Sequence, residues 1–103
     1  MMMNSGKYNF GCKFGSSERT ELYKEIGRLI RSARRELGIT EHQLARIMNV
    51  SQQQVSRYER GLNRIDLGRL LELSLILNIR EEELLKLIAD EYKYIESRRT
   101  ISQ

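Results

Sequence analysis

The chain contains 103 residues, enough for one small domain around a single hydrophobic core, and 40% of them are hydrophobic. No apolar run approaches the length that crosses a membrane, and no basic region followed by an apolar run opens the sequence, so we expect neither a membrane span nor a secretory signal. The net charge of +4 favours an anionic partner, and the single cysteine, Cys12, excludes an internal disulfide, which fits a reducing cytoplasm.

The composition indicates an all-α fold, because proline is absent while Leu, Ile, Arg and Glu are abundant. The positive charge is concentrated in the N-terminal two-thirds of the chain. The C-terminal part instead carries an acidic cluster formed by Glu81, Glu82 and Glu83. A basic surface is therefore expected on the first part of the domain.

Residues 1–18 contain three glycines and show no helical periodicity, which predicts a flexible N-terminal arm. Three other interpretations of this arm stay open. They are a short strand, a basic contact to phosphate through Lys7 and Lys13, and a contact between two copies of the chain.

The first helix is expected to begin between Ser17 and Thr20, whose hydroxyls can cap its N-terminus. Apolar residues then recur with the spacing of one helix face, and Gly38 supplies a left-handed stop. The apolar face consists of Leu22, Ile26, Leu29, Ile30, Ala33 and Leu37.

A short second helix is predicted to begin after Thr40, with Gln43 three residues later in capping-box position. Asn49 is placed to end this helix, since asparagine tolerates left-handed dihedral angles. Val50 should fill the corner before the next helix. The inner face is expected to contain Leu44, Ala45 and either Ile47 or Met48.

The third helix, capped by Ser51 and ended by Gly61, carries more polar surface than any other predicted helix. Only Val55 and Tyr58 are expected to be buried. Three consecutive residues span about 200° of a helix, so the three glutamines cannot all face one groove. The polar positions are Gln52, Gln53, Gln54, Ser56 and Arg57.

Two further helices complete the predicted fold. Asp66 caps the fourth, which Asn78 ends, and the fifth begins at about Glu81 and continues to about Arg98. The expected inner residues are Leu70, Leu71, Leu73, Ser74 and Leu77 in the fourth helix, and Leu84, Leu85 and Ile88 in the fifth.

Six short motifs occur in a specific order and spacing: GIT at 38–40, LA at 44–45, VS at 50–51, VSRYERG at 55–61, LL at 70–71 and ELL at 83–85. With them the chain resembles, from Ile26 to Leu85, the Cro/C1-type (XRE) helix-turn-helix domain of the lambda and 434 repressors. The resemblance implies an all-α, five-helix, lambda-repressor-like DNA-binding domain with the helix-turn-helix at helices 2 and 3. The expected segments are an arm at 1–18, this domain at 19–90, and a C-terminal helix extension at 91–103.

The resemblance also implies that the third helix enters the major groove, where Gln can read adenine and Arg can read guanine. The residues assigned to base contacts are Gln52, Gln53, Ser56 and Arg57. The residues assigned to phosphate contacts are Thr40, Ser51, Arg60 and Arg64. Arg34 and Glu59 occupy two positions that, in this class, form a salt bridge between helices 1 and 3. Such a pair would hold the recognition helix at a fixed angle.

Three positions depart from the family pattern: Glu41 stands where glutamine is common, Asn49 where glycine is usual, and Ile65 where proline is usual. The carboxylate of Glu41 repels phosphate and argues against a contact there. Ile65 leaves the loop before the fourth helix less rigid. The phrase SQQQVSRYERG further resembles small regulators encoded beside fimbrial operons, which implies fimbrial or motility genes as targets.

The sequence therefore predicts a cytoplasmic, bacterial or phage-encoded transcription regulator that binds double-stranded operator DNA as a homodimer and represses by occupancy. No enzymatic activity, metal or cofactor is predicted, because no nucleophile–base pair, metal cluster or phosphate-binding glycine loop is visible. No membrane or small-molecule substrate is expected as a partner. Two other functions stay open: the antitoxin of a toxin–antitoxin pair, and a protein-bridging transcription cofactor.

Overall fold

A computed structural model describes the backbone of residues 9–101 and the side chains of residues 21–99. Within these residues all regular structure is helical, which confirms the expected all-α, five-helix fold. No helix in this part of the chain is long and apolar enough to cross a membrane. The helices are α1 (Asn9–Glu36), α2 (Glu41–Met48), α3 (Gln52–Glu59), α4 (Leu67–Ile76) and α5 (Glu81–Ile101).

The first helix is longer than expected. It begins at Asn9, so the predicted start between Ser17 and Thr20 was wrong. Two glycines in the added turns each cost about 1 kcal/mol, but extending an existing helix gains a hydrogen bond per residue without a new nucleus, and no proline interrupts it. A strand is therefore excluded from residue 9 onward. The other expectations for the arm rest on residues 1–8 and on the side chains of 9–20, which lie outside the described residues.

Local capping signals determine the boundaries of the following helices. The left-handed residues that end the first four helices are the predicted ones: Gly38, Asn49, Gly61 and Asn78, with φ between 59° and 73°. The predicted N-caps of α2, α3 and α4 accept a hydrogen bond from the backbone N–H three residues later, at 2.8–3.0 Å: Thr40, Ser51 and Asp66. The predicted capping box is complete, because the Gln43 side chain accepts a bond from the Thr40 N–H at 2.8 Å.

The hydrophobic core draws on α1 to α4 and on the loop before α4. Of the two candidates in α2, Met48 is buried and Ile47 is exposed. Ile65, which replaces the usual proline, is also buried, so this side chain anchors its loop by packing. The core consists of Ile26, Ile30, Ala33, Leu44, Ala45, Met48, Val55, Tyr58, Ile65, Leu70, Leu73 and Leu77.

Some residues that the helical period assigned to the core are instead largely exposed. In α5, Leu84 and Leu87 pack against the core. The apolar stripes of α4 and α5 are wider than the neighbouring helices can cover, so part of each stripe faces solvent. The incorrectly assigned residues are Leu37, Leu71, Leu85 and Ile88, which expose 42%, 49%, 63% and 51% of their surface.

Helices α1 and α3 approach each other so closely that glycine is needed at the contact. A Cβ atom built at Gly27 would lie 2.4 Å from the carbonyl oxygen of Glu59 and 2.6 Å from that of Tyr58. A Cβ atom at Gly61 would lie 2.8 Å from the Cα of Lys24. The C-terminal half of α3 and the turn after it therefore lie directly on the backbone of α1, and this contact positions the remaining surface of α3.

Candidate nucleic-acid interface

The surface of α3 that faces away from the core is polar and accessible. Val55 and Tyr58 occupy the buried side of the helix. At about 100° per residue, the four predicted base-contact residues span an arc of about 140° on the other side. Gln52 and Gln53 are exposed, and Ser56 and Arg57 are half-buried. The structure thus brings these four side chains onto one accessible surface.

The four residues assigned to phosphate contacts are all exposed: Thr40, Ser51, Arg60 and Arg64. The oxygens of Thr40 and Ser51 already accept bonds as N-caps, but each hydroxyl keeps its own proton to donate. The Thr40 backbone N–H is occupied by the Gln43 side chain. A phosphate at the start of α2 would therefore meet the Thr40 hydroxyl and the backbone amides of Glu41 and His42.

A buried ion pair connects α3 to α1. The Arg34 Nε and Nη2 atoms donate to the two carboxylate oxygens of Glu59 at 2.6 and 3.1 Å, and its Nη1 donates to the Ile39 carbonyl at 2.8 Å. The side chains expose only 10% and 2% of their surface. The hydrogen bond to Glu59 raises the pKa of Arg34 above its ordinary value, so the guanidinium remains charged despite burial. The pair implied by the resemblance is therefore present as a bidentate contact.

Glu41, which stands where the family pattern has glutamine, lies beside this ion pair. Burial raises the pKa of the half-buried Glu41 carboxyl, and the neighbouring Glu59 raises it further, while Arg34 and Arg31 act in the opposite direction. The negative charge of Glu41 is therefore unfavourable to the folded protein as well as to a nearby phosphate.

A second polar network supports the edge of α3, and sequence analysis did not predict it. The Arg57 Nε donates to the Asn63 Oδ1 at 2.9 Å, and the Asn63 Nδ2 donates to the Gln54 Oε1 at 3.1 Å. Arginine can only donate, which requires the Asn63 oxygen to face Arg57 and its nitrogen to face Gln54. The only sequence signal was a polar residue in the loop after α3, and a periodic pattern does not show which side chains a loop residue contacts.

This network also determines what α3 offers to a ligand. It uses the Nε of Arg57 and leaves the two terminal amino groups, which are the donors that match a guanine edge. It uses one lone pair of the Gln54 carbonyl oxygen and leaves the Gln54 amino group outside the network. Because this oxygen is held toward Asn63, the Gln54 amide is less available than those of Gln52 and Gln53 for the donor–acceptor pair by which glutamine reads adenine.

A groove of about 860 Å³ between α1 and α5 lies apart from this interface, and none of its lining residues belongs to α2 or α3. Its charged lining is predominantly acidic: Glu21, Glu25, Glu83, Asp90 and Glu91 against Arg28 and Lys86. Among the surfaces of the described side chains, α3 and its flanking arginines therefore match a polyanion, and the groove does not.

Comparison with known proteins identifies the class of the domain. A family model described as helix-turn-helix matches residues 30–84, more than half of the chain, and this range includes α2, α3 and α4. The chain belongs to this family of DNA-binding transcription regulators, in its Cro/C1 (XRE) type. The resemblance inferred from the sequence motifs is thereby confirmed.

The similar curated proteins are bacterial regulators. An uncharacterised HTH-type transcriptional regulator of Rickettsia conorii is 44% identical over 46 residues, covering 45% of this chain and 37% of that protein. One of Sinorhizobium medicae is 37% identical over 54 residues, covering 52% and 39%. An uncharacterised transcriptional regulator in the ATPase CF(0) region of Rhodospirillum rubrum is 39% identical over 54 residues, covering 52% and 50%. The matches span half or less of each relative, and no solved structure gives a significant match.

Proposed function

We propose that this chain is a homodimeric repressor that recognises operator DNA through the polar face of α3. Two copies related by a two-fold axis would place their α3 helices in successive major grooves about 34 Å apart. Occupancy of the operator would then block transcription in the bacterial cytoplasm, without catalysis by the protein. The affinity would come largely from phosphate contacts, and the specificity from the side chains of α3.

The observation that carries the proposal is the contrast between the two sides of α3. One side is fixed to α1 by the Gly27 contact and by the Arg34–Glu59 pair. The other side presents the accessible amides of Gln52 and Gln53. Rigid positioning of hydrogen-bonding side chains is what base recognition requires, because a bidentate contact depends on both distance and angle.

Several exposed groups suit the phosphates on either side of such a groove. Arg60 and Arg64 follow α3, and the hydroxyls of Thr40 and Ser51 stand at the starts of α2 and α3. We infer that these four residues set the position and register of the protein on the duplex. Substitution of any of the four should weaken binding to all sequences alike, and substitution of Arg60 or Arg64 by a neutral residue should also reduce its salt dependence.

For the regulated genes, the support is the segment SQQQVSRYERG. Its resemblance to regulators encoded beside fimbrial operons supports fimbrial or motility genes as targets. Mapping of all genomic sites bound by the full protein in its host tests this point. Enrichment upstream of fimbrial or flagellar genes is the expected result, and enrichment solely upstream of its own gene beside a toxin gene would favour an antitoxin instead.

The direct test of DNA reading begins with selection from a pool of randomised duplexes, which identifies the preferred sequence. Gln52→Ala and Gln53→Ala should each lose about 1–3 kcal/mol of binding to the selected duplex and keep the affinity for a scrambled one. Glu72→Ala, on the exposed side of α4, is the matched control and should retain both affinities. Failure of the pool to yield a preferred sequence would overturn the proposal, as would unchanged affinity of both glutamine variants.

A further inference from the structure

The groove between α1 and α5 runs along both helices. On α1 its lining residues extend from Glu21 to Leu29, and on α5 they extend from Glu83 to Tyr94. At 1.5 Å per residue these segments are about 12 Å and about 16 Å long. The volume of about 860 Å³ falls within the range of about 300–1,000 Å³ that is usual for small-molecule sites.

The floor of the groove, formed by its half-buried lining residues, is mostly apolar. Leu22, Leu29 and Leu87 belong to this floor, and Glu91 is its one polar member. Leu22 and Leu87 also pack against the core. An apolar body that enters the groove therefore covers leucine side chains from both helices and removes their remaining surface from water.

The charged residues of the groove are mostly acidic, and its two bases are already matched. Arg28 pairs with Glu25 along α1, and the Lys86 Nζ lies 3.4 Å from the Asp90 Oδ2 along α5. With five acids against two bases, the lining carries a formal charge of −3. The acids that exceed these two pairs are Glu21, Glu83 and Glu91.

These three acids lie on both sides of the apolar floor. Glu21 belongs to α1, whereas Glu83 and Glu91 belong to α5. Glu83 forms an exposed ion pair of 4.0 Å with Arg80, which does not line the groove, and so long a pair contributes little. A positive charge at the rim is therefore attracted from both helices.

The dimensions of the groove favour a small molecule over a helix of a partner protein. A helix of three turns is about 16 Å long and 10–12 Å wide, and it occupies about 1,200 Å³ or more. The groove encloses only about 860 Å³, so such a helix would extend well beyond the acidic rim. A ligand of ordinary size fits between the two helices.

We propose that the groove between α1 and α5 binds a small organic cation with an apolar body. The body lies on Leu22, Leu29 and Leu87, and the positive charge faces Glu21 and Glu83 at the rim. Sequence analysis predicted no small-molecule partner, because a helical period does not show the space between two helices. The site goes beyond the proposed function and leaves α3 accessible, since no lining residue belongs to that helix.

The test uses rhodamine 6G, a fluorescent organic cation with an apolar ring system, and fluorescein, an anion built on the same ring frame. The anisotropy of each dye is followed while the full chain is added in the absence of DNA. Rhodamine 6G should bind saturably, with a dissociation constant in the micromolar range that rises with salt. Fluorescein should bind at least about tenfold more weakly, because the rim repels it.

A matched pair of charge reversals in the first turn of α5 locates the bound dye. Glu83→Lys alters the rim and should raise the dissociation constant of rhodamine 6G about tenfold. Glu82→Lys makes the same change of charge at a neighbouring exposed position that does not line the groove. Its effect should stay below about threefold at physiological salt.

A third variant tests the apolar floor. Leu29→Ser removes apolar surface from the groove and should weaken the binding of rhodamine 6G about fivefold. Circular dichroism should still report a helical protein, because Leu29 is only half-buried.

Three results would overturn the site: no saturable binding of rhodamine 6G, equal affinity for the two dyes, or equal effects of Glu83→Lys and Glu82→Lys. Binding of a basic amphipathic peptide in place of the dye would also overturn it and assign the groove to a partner helix. None of these results bears on DNA reading, which the Gln52→Ala and Gln53→Ala affinities decide separately.

Discussion

Helices α3 and α5 both pack against α1, but the two contacts differ in kind. Against α3, the α1 backbone lies so close at Gly27 that no side chain fits, and the Arg34–Glu59 pair fixes the angle between the helices. Against α5, the two helices leave a groove of about 860 Å³ between them. Contacts with strict geometry therefore hold α3, whereas α5 joins the edge of the core through Leu84 and Leu87.

The exposed surfaces of the two helices also differ in chemical character. The accessible part of α3 is polar and needs a fixed orientation to read a base, while the accessible part of α5 combines charged side chains with large apolar ones such as Leu85, Ile88 and Tyr92. The following predictions test whether the geometry around α3 is as strict, and that around α5 as tolerant, as the contacts indicate.

The largest effect is expected for the buried ion pair. Glu59→Ala leaves the guanidinium of Arg34 without its carboxylate and should lower the free energy of unfolding by about 3–5 kcal/mol. Asp90→Ala removes the partner of Lys86 in an exposed ion pair on α5 and should change it by less than about 1 kcal/mol. Urea unfolding of both variants measures the difference, and equal stabilities would contradict the contrast between the two regions.

A smaller loss is expected at the closest approach of α1 and α3. Gly27→Ala forces the two backbones apart and should cost about 1–3 kcal/mol. Gly68→Ala is the matched control, since in α4 the nearest atom to its new Cβ is the Asp66 Oδ1 at 3.4 Å, and it should stabilise by about 0.5–1 kcal/mol. Thermal unfolding of both variants checks the sign, and a Gly27→Ala variant as stable as Gly68→Ala would show that the α1–α3 contact can relax.

A change confined to recognition is expected for the network beside α3. Asn63→Ala releases both Arg57 and Gln54 and should weaken binding to the selected duplex by about 1 kcal/mol, with a broader base preference in a repeated selection. Asn63→Asp keeps the acceptor for Arg57 but cannot donate to Gln54, so it should restore the preference read by Arg57. An unchanged base preference in Asn63→Ala would indicate that the network does not position either side chain.

The smallest effect concerns pH. The folded-state pKa of Glu41 is raised, because burial and Glu59 disfavour its charge. Folding therefore favours the protonated form, and this stabilising contribution is present below the ordinary glutamate pKa and is lost as the pH rises through the raised one. Glu41→Gln cannot ionise, so its melting temperature relative to the unaltered protein should rise with pH across that window. A difference that does not vary with pH would contradict the raised pKa of the Glu41 carboxyl.

The elements that sequence analysis predicted well are those specified by nearby residues. The N-caps and the left-handed ends at Asn49 and Asn78 depend on one side chain and its immediate neighbours, so a local pattern is sufficient. The base-contact and phosphate-contact residues remain predictions, although the structure places them all on accessible surface. The pairing of Arg34 with Glu59, distant in sequence, was available only through the family resemblance.

The features that could not be predicted depend on which elements meet in space. Gly27 carries no turn signal, and its role arises only because α3 crosses α1 at that point. Periodicity identified the apolar residues of α5 but not which of them the neighbouring helices cover, so Leu85 and Ile88 were assigned incorrectly. The start of α1 depends on the cooperative extension of an already formed helix, which local glycine content does not reveal.

The Arg34–Glu59 pair also limits which related sequences single substitutions can reach from this one. Replacing both partners by apolar residues of similar volume is often neutral or stabilising for such a pair, but either replacement alone leaves an isolated buried charge. The apolar alternative is therefore separated from the present sequence by an unstable intermediate, and neutral drift at either position is blocked while the other stays unchanged. A library that varies the two positions together should recover apolar pairs that libraries of single variants never contain.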